Sequence, residues 1–309
     1  IMMVGPTGSG KTTTIFSLLA NMDTQSRSLI SVEDPIEYRI PNAKQHQVNE
    51  KAGVTFEALL KSSVRQDPDI LFIGEIRDKA SAKIAIDFAS TAHLAISTIH
   101  TPNATSAIFR LERLGIERDV LSVTIIGIVA QRLLKRLCPH CRKMKPMSRE
   151  QMDFLHMFGE QNMTESAHPV GCYRCNNTGY LGRTGVFEVI KFDPDITDMI
   201  RNGVAISEMR RIIGQQRKYQ LIGESAIEKL QQGDCSFQQI YDKILVEEII
   251  YQPAAAPAEK LPALAMTHED FEGYAPPDEE TVHPDPGVML KKVLGAATAP
   301  KALPEAEPP

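Results

Sequence analysis

A phosphate-binding pattern lies near the start of the chain. Residues 5–12 have the sequence GPTGSGKT, which matches G-x-x-x-x-G-K-[ST] in full and lies between an apolar segment and an amphipathic helical pattern. Such glycines let the backbone wrap around phosphate oxygens, while backbone N–H groups, the helix N-terminus and a lysine attract the negative charge. We expect Lys11 to bind phosphate and Thr12 to ligate Mg²⁺. The predicted nucleotide-binding residues are Gly5, Pro6, Thr7, Gly8, Ser9, Gly10, Lys11, Thr12 and Thr13.

Two acidic segments could complete a hydrolytic site, because hydrolysis needs carboxylates that hold Mg²⁺ and orient or deprotonate water. Glu75 follows the apolar run 70–73, at the carboxyl end of a predicted strand, where ligand sites of α/β sheets lie. Glu33, Asp34 and Glu37 follow another apolar run, and carboxylates this close repel unless a cation shares them. We predict that both segments face the phosphate loop.

Two histidines flank the strand-like segment 94–99. Because His93 and His100 flank this segment, we expect a third strand end to point toward the same edge of the sheet as the acids. An imidazole there could contact the γ-phosphate and report its loss. A capping or hydrogen-bonded core histidine is an equally good interpretation from the residues alone.

Four cysteines form two C-x-x-C pairs. The pairs are separated by the 30 residues 142–171, a spacing of the kind found in zinc ribbons. Four thiolates at about 2.3 Å satisfy a tetrahedral Zn²⁺ ion, whereas disulfides or redox cysteines are the competing interpretation. We predict a structural zinc site at Cys138, Cys141, Cys172 and Cys175. Cys235 has no partner in the sequence, and we expect it to pack in the core.

The elements that must position these residues follow from hydrophobic patterning. Apolar runs at 1–4, 28–32, 70–73 and 94–98 alternate with helical patterns, as in a parallel α/β sheet. Helical patterns also occur at 206–213, 221–230 and 237–246. We interpret the apolar start as a truncated strand and therefore expect further sequence upstream. The predicted division is a nucleotide-binding core at 1–135, a zinc subdomain at 136–185, a C-terminal helical subdomain at 186–250 and a tail at 251–309.

Composition limits the function classes. Eleven of the 20 prolines lie within 251–309, and we predict that this Pro/Ala-rich tail is disordered because it cannot bury enough apolar area. The net charge of -5 gives no global attraction to nucleic acid, so we expect no nucleic-acid partner. The apolar run 120–130 is too short for a membrane-spanning helix, which needs about 20 residues.

The motifs GPTGSGKTTT, EDPIE, RQDPDILFIGEIRD, AHLAISTIHT and AQRLLKRLCPHC occur in this order. In this the chain resembles the assembly ATPases of type II secretion and type IV pilus systems, from residue 1 to about 245. The resemblance implies a RecA-like P-loop core in a homo-hexamer that hydrolyses ATP with Mg²⁺ to drive pilins or pseudopilins out of the inner membrane. It also implies an inner-membrane platform protein as partner and a cytoplasmic location, peripheral at that membrane.

The same resemblance suggests roles for single residues. Glu33, Asp34 and Glu37 correspond to the Asp box, Glu75 to the Walker B glutamate, and His93 and His100 to the His box. It favours Glu37 and Glu75 as the water-orienting and metal-proximal carboxylates, in either order, and the tetracysteine favours assembly over retraction. This chain has Lys61 where the family usually has arginine and Ala92 where it usually has glycine, which leaves Arg65 and Arg77 as candidate arginine contacts.

Two other functions are compatible with a P-loop. One is a nucleotide-binding scaffold with negligible turnover. The other is a DNA-transfer ATPase of the conjugation type, which the tetracysteine and the acidic charge disfavour.

Overall fold

A mostly parallel β-sheet organises the chain. The computed structural model describes residues 1–216 and 218–249. Within them seven strands form one sheet in the order β3-β2-β4-β5-β1-β6-β9. Strands β1 to β6 run parallel, and β9 pairs antiparallel with β6. The strands are β1 Met2–Val4, β2 Leu29–Glu33, β3 Lys44–Gln47, β4 Ile70–Ile73, β5 Leu94–Ile99, β6 Gly127–Leu137 and β9 Tyr180–Lys191, with β7 Lys143–Pro146 and β8 Glu165–His168 forming a separate hairpin.

Helices cover both faces of the sheet. They are α1 Lys11–Ala20, α2 Phe56–Ser63, α3 Lys79–Ser90, α4 Ala104–Arg113, α5 Arg118–Thr124, α6 Arg149–His156, α7 Pro194–Arg201, α8 Ile206–Gln216, α9 Ile222–Gln231, α10 Phe237–Ile240 and α11 Val246–Ile249. A π-helical turn, Tyr241–Leu245, joins α10 to α11. None of the helices in the described residues is long and apolar enough to cross a bilayer.

The core has two layers because side chains alternate across each strand. Met3 and Val129 lie on the face covered by α1, with Ile15 and Leu19 of that helix. Val4 and Ala130 lie on the opposite face, in the larger layer that includes the C-terminal helices. The buried central strands are apolar throughout, as expected for parallel strands covered on both sides.

The predicted α/β fold with a tetracysteine cluster is confirmed. The four predicted strands match β1, β2, β4 and β5 within a residue or two at each end, and the three later helical patterns match α8, α9 and the helical run 237–249. The predicted boundaries at 135 and 185 fall inside β6 and β9, because these strands belong to the main sheet and carry the cysteine segment between them. The four-part division itself stays a prediction, and its tail, 251–309, lies outside the described residues.

Candidate functional site

The phosphate loop joins β1 to α1. Gly5, Gly8 and Gly10 have φ angles of 149°, 74° and 83°, which L side chains rarely adopt. A Cβ atom at Gly5 would lie 2.4 Å from the carbonyl oxygen of Gln131, and one at Gly10 would lie 2.8 Å from Nε2 of the same residue. Two glycines of the motif are therefore required by the close approach of β6.

Lys11 is the first residue of α1 and is buried. Its Nζ donates hydrogen bonds to the carbonyl oxygens of Gly5 at 2.8 Å and Pro6 at 3.0 Å. Burial lowers the pKa of Lys11, while the negative charges of Glu75 and Glu37 oppose this shift. Both carboxylates predicted to act in hydrolysis are thus electrostatic neighbours of the phosphate-loop lysine.

Charged side chains meet at the carboxyl ends of β4 and β5. His100 Nε2 lies 3.3 Å from Glu75 Oε1, and Arg77 Nε donates to Glu75 Oε2 at 3.0 Å. Arg77 also reaches Asp34 Oδ2 from Nη1 at 3.3 Å. The hydrogen bond to Glu75 raises the pKa of Arg77, so the guanidinium stays charged between two acidic segments. Asp34, after β2, and Glu75, after β4, therefore share Arg77 as their counter-ion.

The acidic segment that begins with the last residue of β2 places its members differently. Glu33 is buried and accepts hydrogen bonds from Ser31 Oγ at 2.6 Å and Gln45 Nε2 at 2.9 Å. It lines a small cleft beside α1, together with Thr12 and others. Glu37 is exposed, and Asp34 is held by Arg77. Glu33 is thus bonded within the protein, whereas Glu37 can still be reached by a ligand.

The four cysteines of the two C-x-x-C pairs converge. Their sulfur atoms all lie within 4.8 Å of one another. The Sγ–Sγ distances are 3.9 Å for Cys138–Cys172 and 3.8 Å for both Cys141–Cys175 and Cys172–Cys175. Corners of a tetrahedron with bonds of about 2.3 Å lie about 3.8 Å apart, so the donor set fits one Zn²⁺ ion.

The local backbone favours a thiolate in this cluster. Burial raises the pKa of Cys175, but hydrogen bonds from the N–H groups of Cys172 and Gly179 and from neighbouring thiols lower it to about 6. Cys235 is fully buried away from the cluster, and burial raises its pKa to about 12. This agrees with its predicted role in core packing.

Comparison with known proteins identifies the family. The family model described as Type II/IV secretion system protein matches residues 1–242. The chain belongs to this family. It is 38% identical over 240 residues to the putative type II secretion system protein E of Escherichia coli K12, covering 78% of this chain and 48% of that protein. It is also 38% identical over 240 residues to the type IV pilus assembly ATPase PilB of Thermus thermophilus, covering 77% of this chain and 27% of that protein.

Solved structures show the same fold. The pilus retraction motor PilT with bound ADP has a TM-score of 0.55 at 24% identity, covering 78% of this chain and 60% of that chain. The ATPase DotB of Legionella pneumophila has a TM-score of 0.56 at 22% identity, covering 80% of this chain and 59% of that chain. The chain spans about half the length of the type II secretion proteins that it matches.

One predicted site residue, His93, lies at the amino ends of the strands, opposite the phosphate loop. His93 precedes β5 and so lies at the amino end of the strand, about 20 Å from His100 at the rise of an extended chain. Its ring stacks on Phe88 with 4.8 Å between centroids, and Nδ1 lies 2.9 Å from Thr91 Oγ1. Within one chain His93 and His100 therefore lie at opposite ends of β5, because parallel strands present only their carboxyl ends to the loop, and a role for His93 in the site stays a prediction. Ala92, in the place of the family glycine, has a φ of 64°.

The two candidate arginines also lie at opposite ends of a strand, β4. Arg65 lies in a 3-10 helix, Val64–Gln66, before the amino end of β4. Lys61 is exposed and pairs with Glu57 at 2.6 Å. Arg77 is the predicted arginine that the structure brings to the acids.

Sequence reasoning missed Gln131 and Arg132 of β6. The pairing of Val4 with Ala130 places both residues beside the start of the phosphate loop. Arg132 is buried, and its charge contributes to the lowered pKa of Lys11, after the larger effect of burial. They lie within the AQRLLKRL motif, but the motif by itself does not show that its strand pairs with β1.

Proposed function

We propose that this chain is the ATP-hydrolysing core of a motor that drives assembly or extrusion of pilin or pseudopilin subunits in a type II secretion or type IV pilus system. The observation that carries the proposal is the convergence of Lys11, Glu75 and Glu37. The negative charges of both carboxylates act on Lys11, and Glu75 pairs with His100 and Arg77 at the carboxyl edge of the sheet. This edge is where α/β folds bind their ligands.

The residues present fit the chemistry of Mg-ATP hydrolysis. Lys11 and the backbone N–H groups of the loop would bind the β- and γ-phosphates, and Thr12 with an acidic side chain would hold Mg²⁺. When bound, Mg²⁺ neutralises the charge that develops on the phosphate oxygens. One of Glu37 and Glu75 would take the proton from water as it attacks the γ-phosphorus and ADP leaves. His100, 3.3 Å from Glu75, would face the departing phosphate.

Arg77 adds a step to this scheme. It neutralises Glu75 and Asp34 at once. A cation bound by these acids would compete with Arg77 for their negative charge. Arg77 would then be free to face phosphate oxygens of this subunit or a neighbour.

A structural zinc site in the tetracysteine segment is part of the proposal. The four sulfurs would fill a tetrahedron and leave no position open for water, which suits a structural ion. Such an ion would tie together the two ends of the segment that β6 and β9 carry outward from the main sheet.

The biological setting rests on the relatives. Proteins 38% identical to this chain are named type II secretion system protein E and type IV pilus assembly ATPase. By this likeness we propose a homo-hexamer that works with an inner-membrane platform protein, in the cytoplasm at the inner membrane. The tetracysteine supports assembly over retraction.

Phosphate release by the purified chain in Mg-ATP tests the activity. We expect turnover in the wild type and loss of about 100-fold or more in Lys11→Ala, since this lysine binds the transferred phosphate. Lys61→Ala is the matched control, because Lys61 is exposed and pairs with Glu57 away from the loop. Equal rates in wild type and Lys11→Ala would exclude hydrolysis at this site. Binding of Mg-ATP without turnover would leave the scaffold function, and salt-dependent DNA binding would support the conjugation-type function.

A further inference from the structure

Arg132 approaches the phosphate loop from the opposite side to α1. Ala130 and Ile128 of β6 belong to the core layer of the C-terminal helices, and side chains alternate, so Arg132 lies on that same face. Gln131, next to Arg132, lies close to the loop, with its carbonyl oxygen beside Gly5 and its side-chain Nε2 beside Gly10. The loop is thus flanked by two consecutive polar residues of β6.

The guanidinium of Arg132 is buried with one nitrogen unpartnered. The side chain is 8% exposed, and Nη2 donates to Glu247 Oε2 at 2.8 Å. Nη1 is inaccessible to solvent and has no hydrogen-bond partner among the described residues. A buried donor of a charged group without an acceptor costs free energy, so this nitrogen would gain from an anion brought next to it.

The present partner of Arg132 is easily released. Glu247 belongs to α11 and its side chain is 53% exposed, so water can solvate it once the ion pair opens. The adjacent Glu248 is buried and binds Arg210 and Asn103, which holds α11 in place independently of Arg132. Glu247 is therefore a replaceable counter-ion on an anchored helix.

We propose that Arg132 is a further phosphate-binding residue of the nucleotide site, and that Glu247 holds its guanidinium until a nucleotide phosphate competes for it. The inference rests on the nucleotide-binding function proposed above. A guanidinium offers a planar fork of donors that matches phosphate oxygens, which a lysine does not. The positive charge of Arg132 already acts on Lys11, the residue that binds phosphate. The exchange of Glu247 for phosphate would also couple α11 to occupancy of the loop.

Two roles of the Arg132–Glu247 ion pair predict opposite effects of Glu247→Gln on nucleotide affinity. If Glu247 competes with phosphate, Arg132→Gln weakens nucleotide binding and Glu247→Gln strengthens it. If the ion pair only supports the loop, both substitutions weaken binding, because each breaks the same pair. A charge-assisted hydrogen bond of about 1.5–3 kcal/mol corresponds to a loss of about 10- to 150-fold for Arg132→Gln.

The test is equilibrium binding of a non-hydrolysable Mg-ATP analogue and of Mg-ADP to the full chain. Arg136→Gln is the matched control, since Arg136 is on the same strand and pairs with Asp234 at 3.3 Å. We expect Arg132→Gln to weaken binding at least tenfold, Glu247→Gln to tighten it severalfold, and Arg136→Gln to stay within about twofold of wild type. Thermal unfolding of each variant shows whether it is folded; should Arg132→Gln not fold, the sign for Glu247→Gln decides.

Two results would overturn the inference while leaving nucleotide binding intact. One is equal affinity of Arg132→Gln and Arg136→Gln, and the other is weaker binding by Glu247→Gln. Failure of the proposed function looks different: the wild type itself would not bind, or Lys11→Ala would bind as well as wild type.

Discussion

Replacing Glu188 by glutamine probes a buried carboxylate that joins three helices to β9. Its Oε1 accepts hydrogen bonds from Ala104 N at 2.9 Å and Arg210 Nη1 at 3.1 Å. Its Oε2 accepts from Arg210 Nη2 and Ile222 N, both at 3.1 Å. The side chain is fully buried, so water cannot replace any of these bonds. Glu188 therefore caps the first turns of α4 and α9 while it neutralises the arginine of α8.

The expected cost follows from these contacts. Glutamine turns one acceptor oxygen into a donor, which removes two of the four hydrogen bonds that Glu188 accepts and the negative charge facing Arg210. Arg210 keeps its bonds to Thr105 and Glu248, whereas one helix N–H group loses its acceptor. Breaking a buried ion pair on one side costs about 3–5 kcal/mol. Glu248 still faces Arg210, so we expect a value near the lower end, about 3 kcal/mol.

An equally well-formed but accessible pair provides the control. Arg118 binds Glu112 through two hydrogen bonds, Nε to Oε1 at 2.8 Å and Nη2 to Oε2 at 3.1 Å. These side chains are 30% and 34% exposed, so Glu112→Gln should cost less than about 1 kcal/mol. The two substitutions make the same chemical change and differ mainly in burial.

Urea unfolding at neutral pH measures both losses. With a slope of about 1–3 kcal/mol per molar urea, Glu188→Gln should lower the midpoint by about 1–3 M. The slope should not change, because the native state keeps its surface. Equal midpoint shifts in the two variants, or a loss below about 1 kcal/mol for Glu188→Gln, would refute the assignment of this cost to buried charge and unsatisfied donors.

The cysteine cluster, a helix cap and the two histidines provide three further tests. Cys172→Ser should lose bound zinc, measured by metal analysis against one ion per wild-type chain, while Cys235→Ala should keep it because Cys235 lies apart from the cluster. Hydrogen bonds from the first turn of α3 lower the pKa of Asp78. Stability from this cap is therefore present above the unfolded pKa of about 3.9 and is lost as pH falls through the lower folded pKa. When the unfolding midpoint is measured against pH, Asp78→Asn should reduce its dependence on pH in the acid range. The same dependence on pH in variant and wild type would contradict this. His100→Asn should lower Mg-ATP turnover about tenfold or more, whereas His93→Asn should stay within about twofold, and the reverse order in a phosphate-release assay would return His93 to the site.

Local chemistry made several features predictable. Parallel strands buried on both faces are mostly apolar, so Ile70–Ile73 is visible as a strand, and so is Leu94–Ile99 although it contains the buried polar residues Ser97 and Thr98. The edge strand Lys44–Gln47 was missed because all its residues are polar, and its pairing with β2 stabilises it instead. The run 120–130 looked continuous, yet it divides between α5 and β6 at 125–126, where the chain turns extended.

The sequence by itself determined the groups that must act locally: the glycines and lysine of the phosphate loop, the paired cysteines, and acids placed directly after apolar strands. Each of these patterns depends on residues a few positions apart, whose relative geometry the backbone already restricts. Only the tertiary structure decided which strand ends share an edge, and so kept His100 beside Glu75 while placing His93 at the far end of β5. It also brought Arg132 to the phosphate loop and Glu247 to Arg132, a separation of 115 residues along the chain. Such contacts arise from strand order and helix packing, which no short stretch of sequence encodes.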